Sequence, residues 1–170
     1  MSLNIIVSVD RCNNILEQAL YLYDIKEKKT FDRDMAVIMD KYTWEQIPLN
    51  LKPLKNRVNI IVDVDGLIIG TPDTIWIRSI DQAIYQYRNF ETFVIGGEYI
   101  MNHIYENYII DHIYMTLYDV VEIDDTYEDL GQFPQINLDR YKIISDEQLN
   151  DDKNVYFRDY IYNDKMNIFL

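Results

Sequence analysis

The sequence contains one cysteine, and several patterns that mark particular protein classes are missing. Cys12 alone cannot form an internal disulfide, which favours a reducing compartment and predicts a cytoplasmic location. No apolar run is long enough to cross a bilayer. The first residues, Met1 to Asn4, have neither the basic segment nor the apolar stretch of a signal peptide, so we expect none. The surroundings of the two histidines, His103 and His112, do not have the ligand spacing of a metal site.

Basic residues are too few to balance the acidic ones, and the net charge is −13. This charge argues against a general nucleic-acid or anionic-membrane surface, because such surfaces need clustered lysine and arginine. It also works against a phosphate-rich cofactor unless a local basic pocket overrides it. The chain is rich in Asn, Ile, Tyr and Asp, which AT-rich codons encode. That composition is typical of protists, AT-rich bacteria and large DNA viruses, so association with a virus is one expectation.

Repeats, low-complexity tracts and linkers rich in Pro, Gly or Ser are absent. A chain of 170 residues is long enough for one domain with a core, so we expect a single domain over residues 1–170. Its first part alternates strands with helices. Apolar β-branched runs predict strands at Ile5–Val9, Ala36–Met39, Val58–Val62, Thr74–Ile77 and Phe93–Ile95. Helical spacing predicts helices from the capping Ser79 to Tyr87 and from about Glu98 to Asn107.

The pattern changes after residue 111, where strands follow one another without a predicted helix. We predict strands at His112–Leu117, Tyr141–Ser145 and Asn154–Tyr162, with a polar turn before the last one. Strand–helix units that end in a hairpin predict an α/β fold. Its sheet is central and mostly parallel, with an antiparallel C-terminal edge strand and helices on both faces.

Several stretches, taken in order, resemble one enzyme family. They are Val37–Pro48, Pro53–Ile61, Phe93–Gly97, Ile113–Thr116, Asp125–Tyr127, Phe133–Pro134 and Tyr141–Lys142. Pro53–Ile61, for example, resembles the family's P-L-K-N-R-x-N-I-V. The order and spacing hold from Leu3 to Tyr162, and the sequence resembles dihydrofolate reductase. The resemblance implies that family's fold and its reaction, the reduction of dihydrofolate to tetrahydrofolate by hydride transfer from NADPH.

Two residues match the family's catalytic positions. Asp24 matches the buried carboxylate that hydrogen-bonds the pterin ring and helps protonate it, a role that a burial-raised pKa suits. Asp24 also precedes a helical stretch, so a helix N-cap is an equally good interpretation. Thr116 matches the threonine that bonds this carboxylate, directly or through water, and the alternative is an ordinary strand threonine.

Three further positions match the folate side of the family's site. The resemblance assigns Ile47, Leu54 and Arg57 to substrate binding. Arg57 matches the arginine that grips the α-carboxylate of the folate glutamate tail, and its planar fork suits a carboxylate. The alternative for Arg57 is a surface arginine before a strand.

The resemblance assigns Lys41, Thr43, Gly96 and Gly97 to the cofactor. The paired glycines let backbone approach the cofactor, and the next helix presents its N-terminus to phosphate. A strand-to-helix turn would need the same glycines for the fold alone. They therefore do not separate an active member of the family from an inactive one.

Four acidic residues depart from the family at the cofactor side. Asp40 and Lys41 stand where the family has Gly-Arg. Asp63 and Asp65 stand near the expected 2′-phosphate, and Glu98 follows the glycine pair. At about 4 Å and a surface-like dielectric, each like-charge contact costs about 4 kcal/mol before screening. We therefore expect these four carboxylates to line the phosphate channel, with Lys41 as the only cation offsetting them.

The loop over the nicotinamide departs as well. The stretch Cys12–Tyr21 lacks the Gly, Pro and Trp that the family has there. Ile6 replaces a small alanine, Lys28 replaces an aromatic residue that packs on folate, and Met101 replaces a tyrosine. These changes favour an inactive member whose scaffold is reused for binding a protein or a folate-like molecule, with doubtful NADPH binding.

Two other interpretations stay open. A working reductase with an altered cofactor site could prefer NADH, since Asp63 or Asp65 could bond a free ribose 2′-hydroxyl. A related reductase of the riboflavin-pathway type would share the fold. The matches around Asp24, Arg57 and Thr116 fit that last interpretation less well. The site rather than the fold must decide among the three.

Overall fold

The computed structural model describes residues 2–16, 35–66, 74–119, 130–149 and 154–163. The strands in these ranges are β1 (Ser2–Asp10), β2 (Ile15–Leu16), β3 (Met35–Asp40), β4 (Val58–Val62), β5 (Thr74–Ile77), β6 (Glu91–Val94), β7 (His112–Tyr118), β8 (Tyr141–Gln148) and β9 (Val155–Tyr162). The helices are α1 (Lys41–Gln46), α2 (Ile80–Gln86) and α3 (Glu98–Asn107), with a 3-10 turn at Leu49–Leu51. None of the helices in the described ranges has the length and apolar character needed to cross a membrane.

All nine strands belong to one sheet, in the order β5-β4-β3-β6-β1-β7-β9-β8, with β2 paired to β1. The neighbours from β5 to β7 are parallel. β9 is antiparallel to β7 and to β8, and β2 is antiparallel to β1. The predicted mostly parallel sheet with an antiparallel C-terminal strand is confirmed. The C-terminal strand is β9, and β8 pairs with its outer side and forms the edge of the sheet. β6 lies between β3 and β1, in the interior, as predicted for Phe93–Ile95.

Most elements agree with the sequence patterns, and the elements that were not predicted are short. β2 has only two residues and forms by pairing with β1, with Ser8 opposite Leu16. α1 contains Tyr42, Thr43 and Trp44, which are modest helix formers. α1 begins at an aspartate cap and ends before Pro48, so tertiary context and capping outweigh its weak propensity.

The side chains of β1 alternate between two apolar clusters on opposite faces of the sheet. Leu3, Ile5 and Val7 belong to the first cluster, which includes the buried side chains of α2 and α3. Ile6 belongs to the second cluster, against which Trp44 of α1 packs. This period-2 alternation explains the helices on both faces, which the sequence predicted.

The carboxyl ends of β1, β3 and β6 meet at one edge of the sheet because these three strands are parallel neighbours. In parallel sheets this edge is where ligands bind. The segments that follow these strands, Ile95–Gly97 after β6 and α1 after β3, therefore form the walls of the candidate site.

Candidate functional site

A cavity of about 480 Å³ opens at the carboxyl edge of the sheet. Its walls come from the end of β1, from β2, from α1, from the residues after β6 and from a loop near residue 130. The lining residues are Val7, Ser8, Ile15, Leu16, Asp40, Tyr42, Thr43, Gln46, Ile47, Ile95, Gly96, Gly97, Glu98, Tyr99, Met101, Leu130 and Gly131. A volume of this size is typical of small-molecule sites. The cavity thus gathers Thr43, Gly96 and Gly97, which the resemblance assigned to the cofactor, and Ile47, which it assigned to the substrate.

Asp40 caps α1 from the floor of this cavity. Its Oδ1 accepts a hydrogen bond from the backbone N–H of Thr43 at 2.7 Å, which satisfies one of the free N–H groups in the first turn of the helix. Its other carboxylate oxygen lies against Gly97, where an added Cβ would overlap it. The space beside Gly97 is therefore filled by a carboxylate of the chain itself.

The glycine pair is held against α1 by close packing. A Cβ at Gly96 would overlap the Thr43 side chain, both its hydroxyl and its methyl group. The Gly96–Gly97 peptide bond is cis. Close approach to neighbouring side chains thus explains why both positions need glycine, whatever the cavity binds.

Glu98 begins α3 and points towards the loop near residue 130. Its Oε1 accepts a hydrogen bond from the backbone N–H of Gln132 at 3.0 Å. Gly131 has φ of +86°, and a Cβ there would overlap the Glu98 carboxylate. This loop was not singled out from the sequence, and no local motif marks Gln132 as a partner of Glu98.

The segment after β1 closes the same wall of the cavity. Asp10 Oδ1 accepts from the N–H groups of Cys12 and Asn14, both at 2.8 Å, and Asn14 Nδ2 donates to Asp10 Oδ2 at 2.7 Å. Ile15 N–H donates to the carbonyl of Gly131 at 2.8 Å. The described part of the Cys12–Tyr21 stretch is therefore fixed by Asp10 and by the loop near residue 130.

Lys41 lies beside Asp63 and outside the cavity lining. Its Nζ is 4.0 Å from Asp63 Oδ2, and its side chain is 52% exposed. Asp65 is exposed in the segment that follows β4. Of the four carboxylates expected in the phosphate channel, Asp40 and Glu98 are among the described residues that line this cavity, and Asp63 and Asp65 are not. The place of Asp63 and Asp65 in that channel stays a prediction.

A buried amide shapes the turn that precedes β4. Asn59 is 1% exposed, accepts from Leu54 N–H at 3.0 Å, and donates to the carbonyls of Leu54 and Arg57 at 2.9 and 3.1 Å. Arg57 Nε donates to the Lys55 carbonyl at 3.1 Å, and Asn56 has φ of +61°. Asn59 was not assigned a role from the sequence, although it lies inside the Pro53–Ile61 match.

A second polar cluster lies away from the cavity, where α2 meets α3. Tyr108 donates from its hydroxyl to Asp81 Oδ1 at 2.6 Å, and His103 Nε2 lies 2.9 Å from the same oxygen. The Tyr108 hydrogen bond, followed by that of His103, lowers the pKa of Asp81. Burial and, next, the Asp81 hydrogen bond raise the pKa of Tyr108 to about 12. This cluster joins the two helices and does not touch the cavity.

Comparison with known proteins identifies the family. The model of the dihydrofolate reductase family matches residues 4–165. The chain belongs to this family. The dihydrofolate reductase of Schistosoma mansoni is 30% identical over 162 residues, which cover 84% of this chain and 83% of that protein. That of Heliothis virescens is 31% identical over 138 residues, covering 74% and 72%. The bifunctional dihydrofolate reductase-thymidylate synthase of Plasmodium chabaudi is 33% identical over 116 residues, but the match covers 19% of that longer protein.

Solved structures agree with the family assignment. A Schistosoma mansoni dihydrofolate reductase structure has a TM-score of 0.72 and 26% identity, and covers 96% of this chain and 99% of that one. An Enterococcus faecalis dihydrofolate reductase, complexed with NADP(H) and RAB-propyl, has a TM-score of 0.69 and 21% identity over 96% and 97%. Members of the family use NADPH and act on folate-like substrates. Across the described ranges, no cluster of three or more His, Cys, Asp or Glu side chains could hold a metal ion.

Two further family positions, Leu54 and Thr116, are described by the structure but are not among the lining residues of the cavity. Thr116 is buried in β7, opposite Ser8 of β1. Leu54 is partly buried and packs against the second apolar cluster. The cavity residue Ile47 is a buried member of that cluster. Asp24 and Lys28 lie outside the described residues, so the pairing of Asp24 with Thr116 stays a prediction.

Proposed function

We propose that this chain is a dihydrofolate reductase-like protein that binds NADPH weakly, has little or no reductase activity, and serves as a binding or structural scaffold. The observation that supports this most directly is the position of Asp40. Its carboxylate accepts a hydrogen bond from the Thr43 N–H and lies against Gly97. The family resemblance places the close approach of the dinucleotide to the backbone at this junction of α1 and the glycine pair. The residues present at this junction do not fit a pyrophosphate.

The electrostatic consequence is about half the binding free energy of a micromolar ligand, roughly 8 kcal/mol. A phosphate oxygen at about 4 Å from the Asp40 carboxylate would be repelled by about 4 kcal/mol at a surface-like dielectric, before screening by salt. Glu98 adds a second carboxylate to the same cavity. The overall charge of −13 gives the surrounding field the same unfavourable sign.

Compensation by a basic residue is weak. Lys41 replaces the family's arginine, but its ammonium lies 4.0 Å from Asp63 and not in the cavity wall. An ammonium also cannot reproduce the planar fork with which arginine holds phosphate. Lys41, the one cation expected to offset the acidic residues, therefore lies beside Asp63 and not beside the carboxylates of the cavity.

The folate side is closer to the family pattern. Ile47 lines the cavity, and the Asn59 amide holds the turn that presents Leu54 and Arg57. Together with the predicted roles of Asp24 and Thr116, this supports retention of a folate-like ligand. A cytoplasmic location, and a protein partner for the scaffold, remain parts of this proposal.

A second candidate function is a reductase that uses NADH. It is favoured by one observation, the location of Asp63 directly after β4 with its carboxylate beside Lys41. A carboxylate at this end of a parallel strand can accept from a ribose 2′-hydroxyl. The pyrophosphate of NADH would still meet Asp40 and Glu98, so we place this candidate second.

Titration and turnover test the proposal directly. NADPH and NADH binding are measured by fluorescence quenching at low ionic strength, and dihydrofolate reduction is measured with each. We expect weak NADPH binding and no measurable turnover. Turnover of about 1 per second with NADPH, within the ordinary enzyme range, would contradict the proposal. Turnover with NADH alone would replace it by the second candidate.

A designed reversion tests the electrostatic reason. The triple change Asp40→Gly, Lys41→Arg and Asp63→Ser should strengthen NADPH binding by about tenfold or more, since about 1.4 kcal/mol suffices for that factor. The double change Glu106→Gln and Asp139→Asn is the matched control, because it removes the same two negative charges from exposed positions outside the described cavity lining. Equal affinity in the triple variant and the control would show that charge is the wrong explanation.

A further inference from the structure

The strand β8 forms one edge of the sheet and is longer than the strand at the opposite edge, β5. β8 has eight residues, whereas β5 has four. Among the described residues, β9 is the only strand paired with β8, so no described strand occupies its outer side. Ile143 and Ile144 on this edge are 43% and 52% exposed. A long edge strand with exposed aliphatic side chains is a template for pairing with a further strand.

A β-bulge decides which charged side chains of β8 share a face. The register between β8 and β9 shifts within β8, so that one residue of β8 has no counterpart. Lys142 lies opposite Ile161, and Glu147 lies opposite Phe157. Ile161 and Phe157 are an even number of residues apart and therefore share a face, and directly opposite residues also share a face. Lys142 and Glu147, an odd number of residues apart, thus lie on the same face because of the bulge.

The third charged residue of β8 lies on the other face. Asp146 is opposite Arg158, and its Oδ1 accepts a hydrogen bond from Arg158 Nε at 3.1 Å within the same chain. Lys142 and Glu147 are both exposed. One face of the β8 edge therefore has a cation near the beginning of the strand and an anion near its end.

This arrangement of charges is complementary to itself in one register. Two β8 strands can run antiparallel about a two-fold axis, with Ile144 of one copy opposite Ser145 of the other. Lys142 of each copy then lies opposite Glu147 of the other. A shift of two residues, which keeps each side chain on its face, places Lys142 opposite Ser145 or Leu149 instead. Charged residues on an edge usually discourage pairing, but opposite charges across a ladder stabilise it, so β8 favours this one register.

We propose that the β8 edge binds a second copy of this chain, forming a symmetric dimer whose sheet continues from one copy into the other. Because both copies use the same strand, the contact closes at two copies. The strand supplies eight residues from each copy. A standard stable interface has about 20–30 residues a side, so this dimer dissociates at low concentration. The inference does not depend on the proposed function, since no residue of β8 is among the described residues that line the cavity.

Sedimentation of the full chain measures the association. The concentration runs from about 1 to 500 µM, a range that covers weak interfaces. The buffer contains about 0.15 M salt, where a Debye length of about 8 Å screens the long-range repulsion between two acidic copies. We expect a reversible dimer with a Kd of about 10–100 µM. A monomer at every concentration would overturn the proposal and assign the edge to an occupant other than a second copy.

Charge reversal separates paired strands from overall charge. Lys142→Glu makes the chain more acidic and Glu147→Lys makes it less acidic, yet each places like charges opposite each other twice in the dimer. We therefore expect each variant to raise the Kd by about tenfold. The double variant, Lys142→Glu with Glu147→Lys, restores opposite charges and should return the Kd to within about threefold of the wild type.

The matched control is Glu106→Lys, at an exposed position of α3, because it changes the net charge as much as Glu147→Lys does. This variant should not weaken the dimer. Equal effects of Glu106→Lys and Glu147→Lys, or losses that add in the double variant, would overturn the proposal.

Cysteine variants test the register itself, in a Cys12→Ser background. Lys142→Cys with Glu147→Cys places thiols across the proposed ladder with Cα atoms about 4.5–5.5 Å apart, within the range of a disulfide. Within one chain, residues 142 and 147 are about 16 Å apart, too far to bond. Mild oxidation at high protein concentration should therefore link two copies of the double variant and almost none of either single variant. Equal yields of linked dimer in the double and single variants, including no yield in any, would overturn the register.

Discussion

The turn before β4 and the start of α1 each depend on one polar side chain, but they use it in opposite ways. Asn59 is buried and satisfies three backbone groups of the Leu54–Arg57 turn, which leaves the outer face of the turn for a ligand. Asp40 bonds the Thr43 N–H at the cavity itself, so it takes a backbone group that an anionic ligand would need. The comparison teaches that an internal hydrogen bond can support a turn from within in one place and put a carboxylate into a cavity in another.

The largest expected effect concerns the turn. Asn59→Ala leaves three backbone groups without their partner, and we expect a loss of about 3 kcal/mol in the free energy of unfolding. Denaturant unfolding measures it. Asn107→Ala, at the exposed end of α3, is the control and should cost about 0.5 kcal/mol or less. Equal effects at the two positions would mean that Asn59 does not hold the turn.

A second experiment tests the contact between the glycine pair and α1. Gly96→Ala introduces a Cβ that overlaps the Thr43 side chain, so we expect a loss of about 1–3 kcal/mol in the free energy of unfolding. Thr43→Ala removes the overlapping hydroxyl and methyl groups. The double variant should therefore be more stable than Gly96→Ala alone, and a double-mutant cycle measures the coupling. Strictly additive changes in the free energy of unfolding would show that residues 96 and 43 are not in steric contact.

A third experiment separates the cap from the charge at Asp40. Asp40→Ala should destabilise the protein by about 1 kcal/mol, because the Thr43 N–H loses its acceptor. Asp40→Asn retains a capping oxygen and should stay within about 0.5 kcal/mol of the wild type by denaturant unfolding. If the two variants lose equal stability, the charge of Asp40 rather than its cap matters for folding.

The smallest effect is expected outside both regions, at Tyr108. Its pKa is raised to about 12 in the folded protein, so the folded state holds this proton more tightly than the unfolded chain. The resulting stability is fully present below about pH 10 and is lost as the pH rises through about 12. Tyr108→Phe should remove this part of the alkaline loss, as measured by unfolding at several pH values. An alkaline profile identical to that of the wild type would exclude the Tyr108–Asp81 bond as its source.

Sequence patterns predicted elements with a clear apolar periodicity well and elements without one poorly. β4, β5 and α3 have the predicted bounds because their periodicity follows from burial on the sheet. β2 and α1 depend on partners distant in sequence or on a cap, which periodicity does not report. Matches to the family singled out Thr43, Gly96 and Gly97, which line one cavity. No pattern in the sequence singled out Ser8, which lines the same cavity, or Gln132, which bonds Glu98.

The sequence by itself determined the fold, the antiparallel C-terminal strand and the negative net charge, because burial periodicity and net charge are properties of the chain. Only the tertiary structure decided which charges act together. Lys41 and Asp63 lie side by side, while Asp40 and Glu98 share a cavity with the buried hydroxyl of Ser8. Coulomb interactions and hydrogen bonds depend on distances of a few ångströms, and those distances are set by the packing of strands and loops that are far apart along the chain.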